Sequence, residues 1–566
     1  MCLTLVGQNE SETKSAEAEH AALFTEQRYP SANTCATCHP DHFREWSVSP
    51  HAYAQLSPVF NAMQGTIVKL TNGTNGDFCI RCHTPVGMNM GEPVFMSNLD
   101  RHPTSREGVT CITCHRVSDA YGKLSGRLAI SQGDLFEPVV GPSGNQELER
   151  VIESGEYYVN TDPNRAGRAI HKDAKPFFQL TTSGFCATCH DVNLINGFRL
   201  EEAFSEFKTS PAAKNETSCQ DCHMGVAPGE AKGYAQGPAA LVGGVPTQTR
   251  KRTNHMFIGP DYSVIHPALF PHNTRATEMA TLREWLTFDD AAGWGSESFE
   301  AKVAPGTEFP ERWKTADDRF EARDVINQNK ALLAEANQAR LKVLQAGYKL
   351  GEVQVKKASQ AGLSFSVEVA NGTTGHGVPT GFDAERLVFL RVKVYSPDDQ
   401  LIFISGDLDP NGDVRDEHSL YVHGGVLPQD PYLFTLQSKF ITRMERGGER
   451  EQILALNVSP DPLPFLRPST NSTILTGRPG AVRKHKQGIA PGDARFPEYE
   501  VKKRDMRGSG TYRIQVELIA GMIPVNLISA IQGVGFDYGL SPRQIADRVV
   551  AGHLTIASRE VTFDVP

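Results

Sequence analysis

Ser31-Ala-Asn-Thr-Cys35-Ala-Thr-Cys38-His39-Pro-Asp-His42-Phe-Arg-Glu-Trp46-Ser-Val-Ser-Pro-His51-Ala-Tyr53 contains the pattern that decides the fold: two cysteines three positions apart, then histidine. The pattern returns as Cys79-Ile-Arg-Cys82-His83, Cys111-Ile-Thr-Cys114-His115, Cys186-Ala-Thr-Cys189-His190 and Cys219-Gln-Asp-Cys222-His223, using ten of the 11 cysteines. Two thiols at this spacing reach the two vinyl groups of one porphyrin, and the adjacent imidazole falls under the iron as proximal ligand. C-x-x-C-H is accordingly the attachment signature of c-type haem. A redox dithiol, a zinc site and a disulfide framework are the competing readings. Zinc sites pair two C-x-x-C units and need no histidine after each, and five repeats count against all three. Five covalently bound haem c groups are expected, with His39, His83, His115, His190 and His223 as proximal ligands.

Cys2 stands outside the series. Haem is attached outside the cytoplasm, so a leader is expected, yet Met1 to Asn9 has no basic start and no long apolar run. The chain therefore reads as a mature form, periplasmic or at the cell surface. A cysteine at its start, followed by the polar run Asn9 to Glu19, suits a lipoprotein anchored at Cys2. A stray thiol on a frayed terminus is the alternative.

The 566 residues suggest about three domains. A net charge of −9 lacks the basic stripe of a nucleic-acid binder, so no nucleic-acid partner is expected. The longest apolar candidate, Leu518 to Val525, is too short to cross a bilayer and contains Pro524. The expected organisation is a mobile arm over 1–30, a pentahaem region over 31–260, a wrapping segment and linking helix over 261–350, and a β-sandwich over 351–566. The fold class is thus α+β and multidomain. Porphyrins packed on short helices and loops should form much of the core of the haem region. The intervals His83–His115 and His190–His223, 32 and 33 residues against 44 and 75, predict two close pairs of haems. Residues 261–316, rich in Pro, Gly and Trp, read as having little regular structure. Helical spacing from Ala316 to Tyr348 predicts a helix stopped at Gly351. Alternation in Leu363–Val369, Leu387–Tyr395, Tyr512–Leu518 and Leu554–Val565 predicts strands, with a long excursion around 430–505.

Low-spin haem in an electron carrier usually takes a second axial His or Met. The run "haem motif, Trp46, Ser-Pro-His51-Ala" resembles the multihaem cytochromes c related to the tetrahaem cytochrome of ammonia oxidisers and to hydroxylamine oxidoreductase. That resemblance implies a distal role for His51. It extends to His171 before Phe185-Cys186, to His255 in Asn254-His-Met-Phe-Ile-Gly259, and to His376 in Gly375-His-Gly-Val-Pro-Thr-Gly381, an element that several multihaem cytochromes carry beside a β domain. It covers 31–260 by motif and about 370–425 by that element. Four distal candidates for five irons leave one to be supplied by His42, His272, His266, His20, Met88 or Met90, or left open. Asp407-Leu-Asp409-Pro-Asn411-Gly412-Asp413 matches the first half of an EF-hand loop, with His418 where a bidentate Glu belongs and Asp416 and Glu417 nearby. Calcium is one reading, an acidic turn the other.

Three functions follow. The first is an electron-transfer chain, periplasmic or extracellular, serving other cytochromes or a quinol-linked donor. The second is a reductase or oxidase acting on a small nitrogen or sulfur compound at an open iron. It is disfavoured because the C-x-x-C-K variant is absent and hydroxylamine oxidoreductase has more haems. The third is the protomer of a self-assembling cytochrome filament.

Overall fold

The computed structural model describes residues 28–118, 126–193, 199–265, 272–443, 449–454, 457–458, 474–475 and 482–566. Residues 1–27 of the arm, with Cys2 and His20, and His266 lie outside the described residues, and Tyr29 at the end of the arm is buried.

Up to residue 260 the chain folds as short helices and small two-stranded sheets. Among the described residues of this part the longest helix, Pro58–Leu70, has 13 residues. Several of the helices are started by local chemistry. Ser31 caps Ala32–Ala36, Ser57 precedes Pro58 at the first helical position, and Ser218 forms a capping box with Asp221 at Cys219–His223. Four-residue and five-residue helices carry or adjoin the cysteine pairs.

The segment expected to be irregular is instead folded. The helices Thr274–Met279, Leu282–Trp285 and Glu297–Glu300 are each capped by an Asn, Thr or Ser side chain. They close over an aromatic core of Trp285, Phe288 and Trp313 against Ala322, Val325 and Ile326. Those last three belong to the helix Ala316–Gly347, 32 residues capped by Thr315. The helix does not stop at Gly351: the strand Tyr348–Ser359 begins immediately after it. Gly351 sits at a register break in that strand, where a Cβ would lie 2.3 Å from Glu368 Oε2.

Two antiparallel sheets follow. One orders Tyr348–Ser359, Gly362–Asn371 and Ala494–Arg495, with Glu498–Lys502 also on the second strand. The other orders Leu401–Ser405, Leu387–Tyr395, Gly510–Gly521 and Leu554–Val565. Alternate residues of both, including Phe365, Val367, Leu390, Val392, Ile514, Val516 and Leu518, are fully buried in one shared core.

Between the last two strands the chain leaves the sheets. Helices Val525–Ile531 and Pro542–Ala551 pack Leu527, Ile528, Ile531, Ile545 and Val549 onto Trp46, Leu56, Val59 and Ala62. Asp537 fastens this junction, accepting from Asn61 Nδ2 (2.7 Å), Ser97 Oγ (2.9 Å) and the Asn98 amide (3.1 Å). Asp537→Ala strands those donors and should lower stability by about 2 kcal/mol, read as a lower urea midpoint.

Candidate multihaem site

The ten motif cysteines form no disulfides. Their thiols approach one another across motifs instead: Cys35 is near Cys111, Cys82 near Cys189, and Cys186 near Cys219. Sequence spacing paired the second motif with the third and the fourth with the fifth. The second of these matches the thiol contacts; for the other, the contacts pair first with third and second with fourth. Burial pushes the Cys79 and Cys114 thiols up to about 12, while the hydrogen bond from Cys186 pulls Cys219 down to about 7.

The motif histidines are aimed by their second ring nitrogen. Nδ1 of His39 lies 2.7 Å from the Ala239 carbonyl, His83 2.9 Å from Ala54, His115 2.9 Å from Val140 and His223 3.2 Å from Ile258. A proton donated from Nδ1 leaves the Nε2 lone pair free for a metal. Near His190 the acceptor is the Glu201 carboxylate, 3.4 Å away. Burial lowers His39, His83, His115 and His223, the second and fourth to about 4 in the cases of His83 and His223. At His190 the lowering by burial is outweighed by Glu201, which lifts it to about 8.

Three of the distal candidates face motif histidines. His51 lies 6.1 Å from His190, His255 6.5 Å from His115 and His376 6.4 Å from His223, between ring centroids. With metal–imidazole bonds of about 2 Å and about 1 Å from nitrogen to centroid, two rings sharing one metal stand about 6 Å apart. The backbone presents these rings from outside. The His51 carbonyl accepts from the Val109 amide at 3.0 Å, and the His255 amide donates to Glu45 Oε2 at 2.9 Å. Nδ1 of His255 bonds the Thr253 carbonyl (3.0 Å) and that of His376 the Gly377 carbonyl (2.8 Å). His171 is held at about 4, first by burial and next by the charge of His39.

The other candidates are placed differently. His42 sits 4.7 Å from His255, too close to share a metal with it, and 6.1 Å from His39. It is three residues beyond His39 on the helix Pro40–Ser47. That advance of about 4.5 Å cannot carry it around a porphyrin edge to the opposite face. His272 is buried between Trp46 (4.8 Å) and Tyr53 (5.5 Å), both its ring nitrogens are shut off from solvent, and among the described residues no motif imidazole stands beside it at the axial spacing. Met90 packs beside Tyr29, Val86, Ile112 and Ile130. His83 has Phe60 stacked on its ring at 3.5 Å, and among the described residues no other imidazole faces it at the axial spacing.

Sequence reasoning missed the charged groups near the second motif. Arg386 pairs with Asp261, Nη2 to Oδ2 at 2.9 Å, and burial raises Glu385 to about 7. They come from segments remote in sequence and carry no motif. The calcium expectation gains no support. Asp407 is tied to Arg415 (2.7 Å), and Asp409 accepts the amides of Asn411, Gly412 and Asp413 and the Ser419 hydroxyl. Asp413 accepts the Asn526 amide and is raised to about 7 by burial. The carboxylates are turned onto the protein itself, as in an acidic turn, and the Asn411 position contributes its amide. Nearby, Glu417, His418 and Glu451 come together, but Lys439 bridges both carboxylates.

The donor set fits covalent haem: paired, unbridged thiols beside imidazoles with Nε2 left free. Residues 34–116 match the family model "Cytochrome c554 and c-prime". Over 163 residues the chain is 27% identical to "Cytochrome c-type protein TorC" of Escherichia coli K12 and of strain O157:H7, a stretch covering 28% of this chain. The chain thus spans 36% of the length of those curated relatives. A penta-heme cytochrome c552 from Thermochromatium tepidum superposes with a TM-score of 0.49 at 17% identity, covering 94% of this chain and 98% of that one. With the repeated attachment motifs and the family match over the first three of them, the chain is similar to the multihaem c-type cytochromes.

Proposed function

We propose that the protein carries five haems, one per motif, and conducts electrons along them outside the cytoplasm, in the periplasm or at the cell surface. The observation that carries this reading is the set of facing imidazoles at the spacing of a shared iron. Bound haem iron supplies the one-electron couple. His115 and His255, His190 and His51, and His223 and His376 hold three irons from both sides. His39 holds a fourth with His171, and His83 holds the fifth from one side. The thiol contacts order the motifs, first beside third, second beside fourth, fourth beside fifth, so the fourth lies between the second and the fifth. The two C-terminal sheets, read as a sandwich, serve as scaffold and docking domain. Partner redox proteins, other cytochromes or a quinol-linked donor, would load and unload the chain.

Intact-mass measurement should give the polypeptide plus five haems; four or fewer overturns the assignment. A second reading, an oxidoreductase of small nitrogen or sulfur compounds, is favoured by one observation. Among the described residues His83 has no facing imidazole, and it has Asp261, Glu385 and Arg386 in its neighbourhood. Low-temperature EPR separates the two. The conductor shows low-spin iron with at most one high-spin centre, unchanged by nitrite or hydroxylamine. A high-spin signal that shifts with either compound favours the enzyme.

A further inference from the structure

The five motif histidines differ in what their Nδ1 atom faces. Four face peptide carbonyls. His190 alone among them faces a carboxylate, Glu201 Oε1 at 3.4 Å. The hairpin after the motif brings this group back: Val192–Asn193 pairs with Arg199–Glu201, in a register that sets Glu201 opposite Val192. The Glu201 side chain is 8% exposed. Gly381, at φ +76°, lies beside the same oxygen: a Cβ there would stand 3.3 Å from Glu201 Oε1. The glycine that closes the His376 element thus leaves room for the carboxylate, and Arg386 contributes a positive charge nearby.

A carboxylate is a stronger acceptor than a peptide carbonyl. It draws the Nδ1 proton further from the ring and makes Nε2 a better electron donor. A more basic axial ligand stabilises the oxidised iron over the reduced one. We propose that Glu201 is a positioning residue that makes His190 the most electron-donating of the five motif histidines, giving its iron the lowest reduction potential among those held by two imidazoles. This rests on the reading that His190 holds haem. Because the fourth motif touches the second and the fifth, the effect puts an uphill step between the His83 centre and the His223 centre.

The test is a redox titration of holoprotein, wild type against Glu201→Gln, followed optically and by EPR. The neutral amide should raise one of the five potentials by a tenfold change in its one-electron equilibrium, 59 mV. The g-values of one low-spin signal should move with it, and the other four centres should stay in place. Glu201→Asp, which withdraws the carboxylate but keeps its charge, should shift the same centre in the same direction by less. It also serves as the test if the glutamine variant fails to fold. Glu206→Gln, which loosens the His376 loop without touching His190, should leave that centre unmoved. A fully loaded Glu201→Gln or Glu201→Asp protein with all five potentials unchanged overturns the role of Glu201 while leaving the haem assignment intact. A wild-type mass lacking a haem at Cys186 and Cys189 overturns the assignment itself.

Discussion

His376→Ala should convert one iron in five from low-spin to high-spin and open it to cyanide, with about one equivalent bound per chain beyond wild type. His376 faces His223 at 6.4 Å with the rings inclined by 14°. The loop that carries it is anchored without it. Glu206 accepts from the Gly377 amide (3.1 Å) and the Thr380 hydroxyl (2.6 Å), Lys486 pairs with Glu206 (3.0 Å), and Asn371 Nδ2 donates to the His376 carbonyl (2.9 Å). Truncation therefore removes the axial bond and leaves the backbone in place. EPR before and after cyanide addition reads the outcome. An unchanged low-spin count would show that His376 is not the ligand opposite His223.

Glu107→Ala should cost about 4 kcal/mol of stability, since it leaves three buried donors without an acceptor. Glu107 is 1% exposed and accepts from the Ser31 hydroxyl, the Ala32 amide (2.9 Å) and the Thr110 hydroxyl (2.7 Å). Ser31 and Thr110 are the residues that start the first and third motif helices, so one carboxylate ties both together. Burial raises Glu107 from 4.5 to about 7. A carboxyl raised in the folded state stabilises below the unfolded value and loses that contribution as pH rises through the folded one. Wild type should thus lose this contribution to stability between pH 4.5 and about 7. Glu107→Gln, which keeps an acceptor oxygen and carries no charge, should lack that loss. Guanidinium unfolding of the holoprotein across this range checks both, and a wild type and glutamine variant with the same pH profile would contradict the titration.

The sequence made the attachment motifs legible because covalent chemistry fixes their spacing. The linking helix and the strands at 363–369, 387–395, 512–518 and 554–565 were legible because burial of one face imposes a period. The partners of the distal imidazoles were not. Nothing in the order of residues says that His51 meets His190 or that His255 meets His115; tertiary packing decides it. The capped helices of 274–300 were hidden by their Pro and Trp content, since their stability comes from one aromatic core and not from periodicity. Glu107, Glu201 and Arg386 carry no motif at all. The acidic loop at 407–413 misled for the opposite reason: its residue types suit a cation, but Arg415 and the loop amides take up most of their oxygens.

The chain order of His223 and His376 bears on biogenesis. During synthesis Cys219, Cys222 and His223 emerge well before the loop that carries His376. On the proposed reading, a chain threading out of the cytoplasm can therefore present its last attachment motif before the opposing imidazole has been exported. Covalent capture and axial closure become separate events in time, and a chain released before residue 376 would be coloured yet lack the ligand that completes that iron.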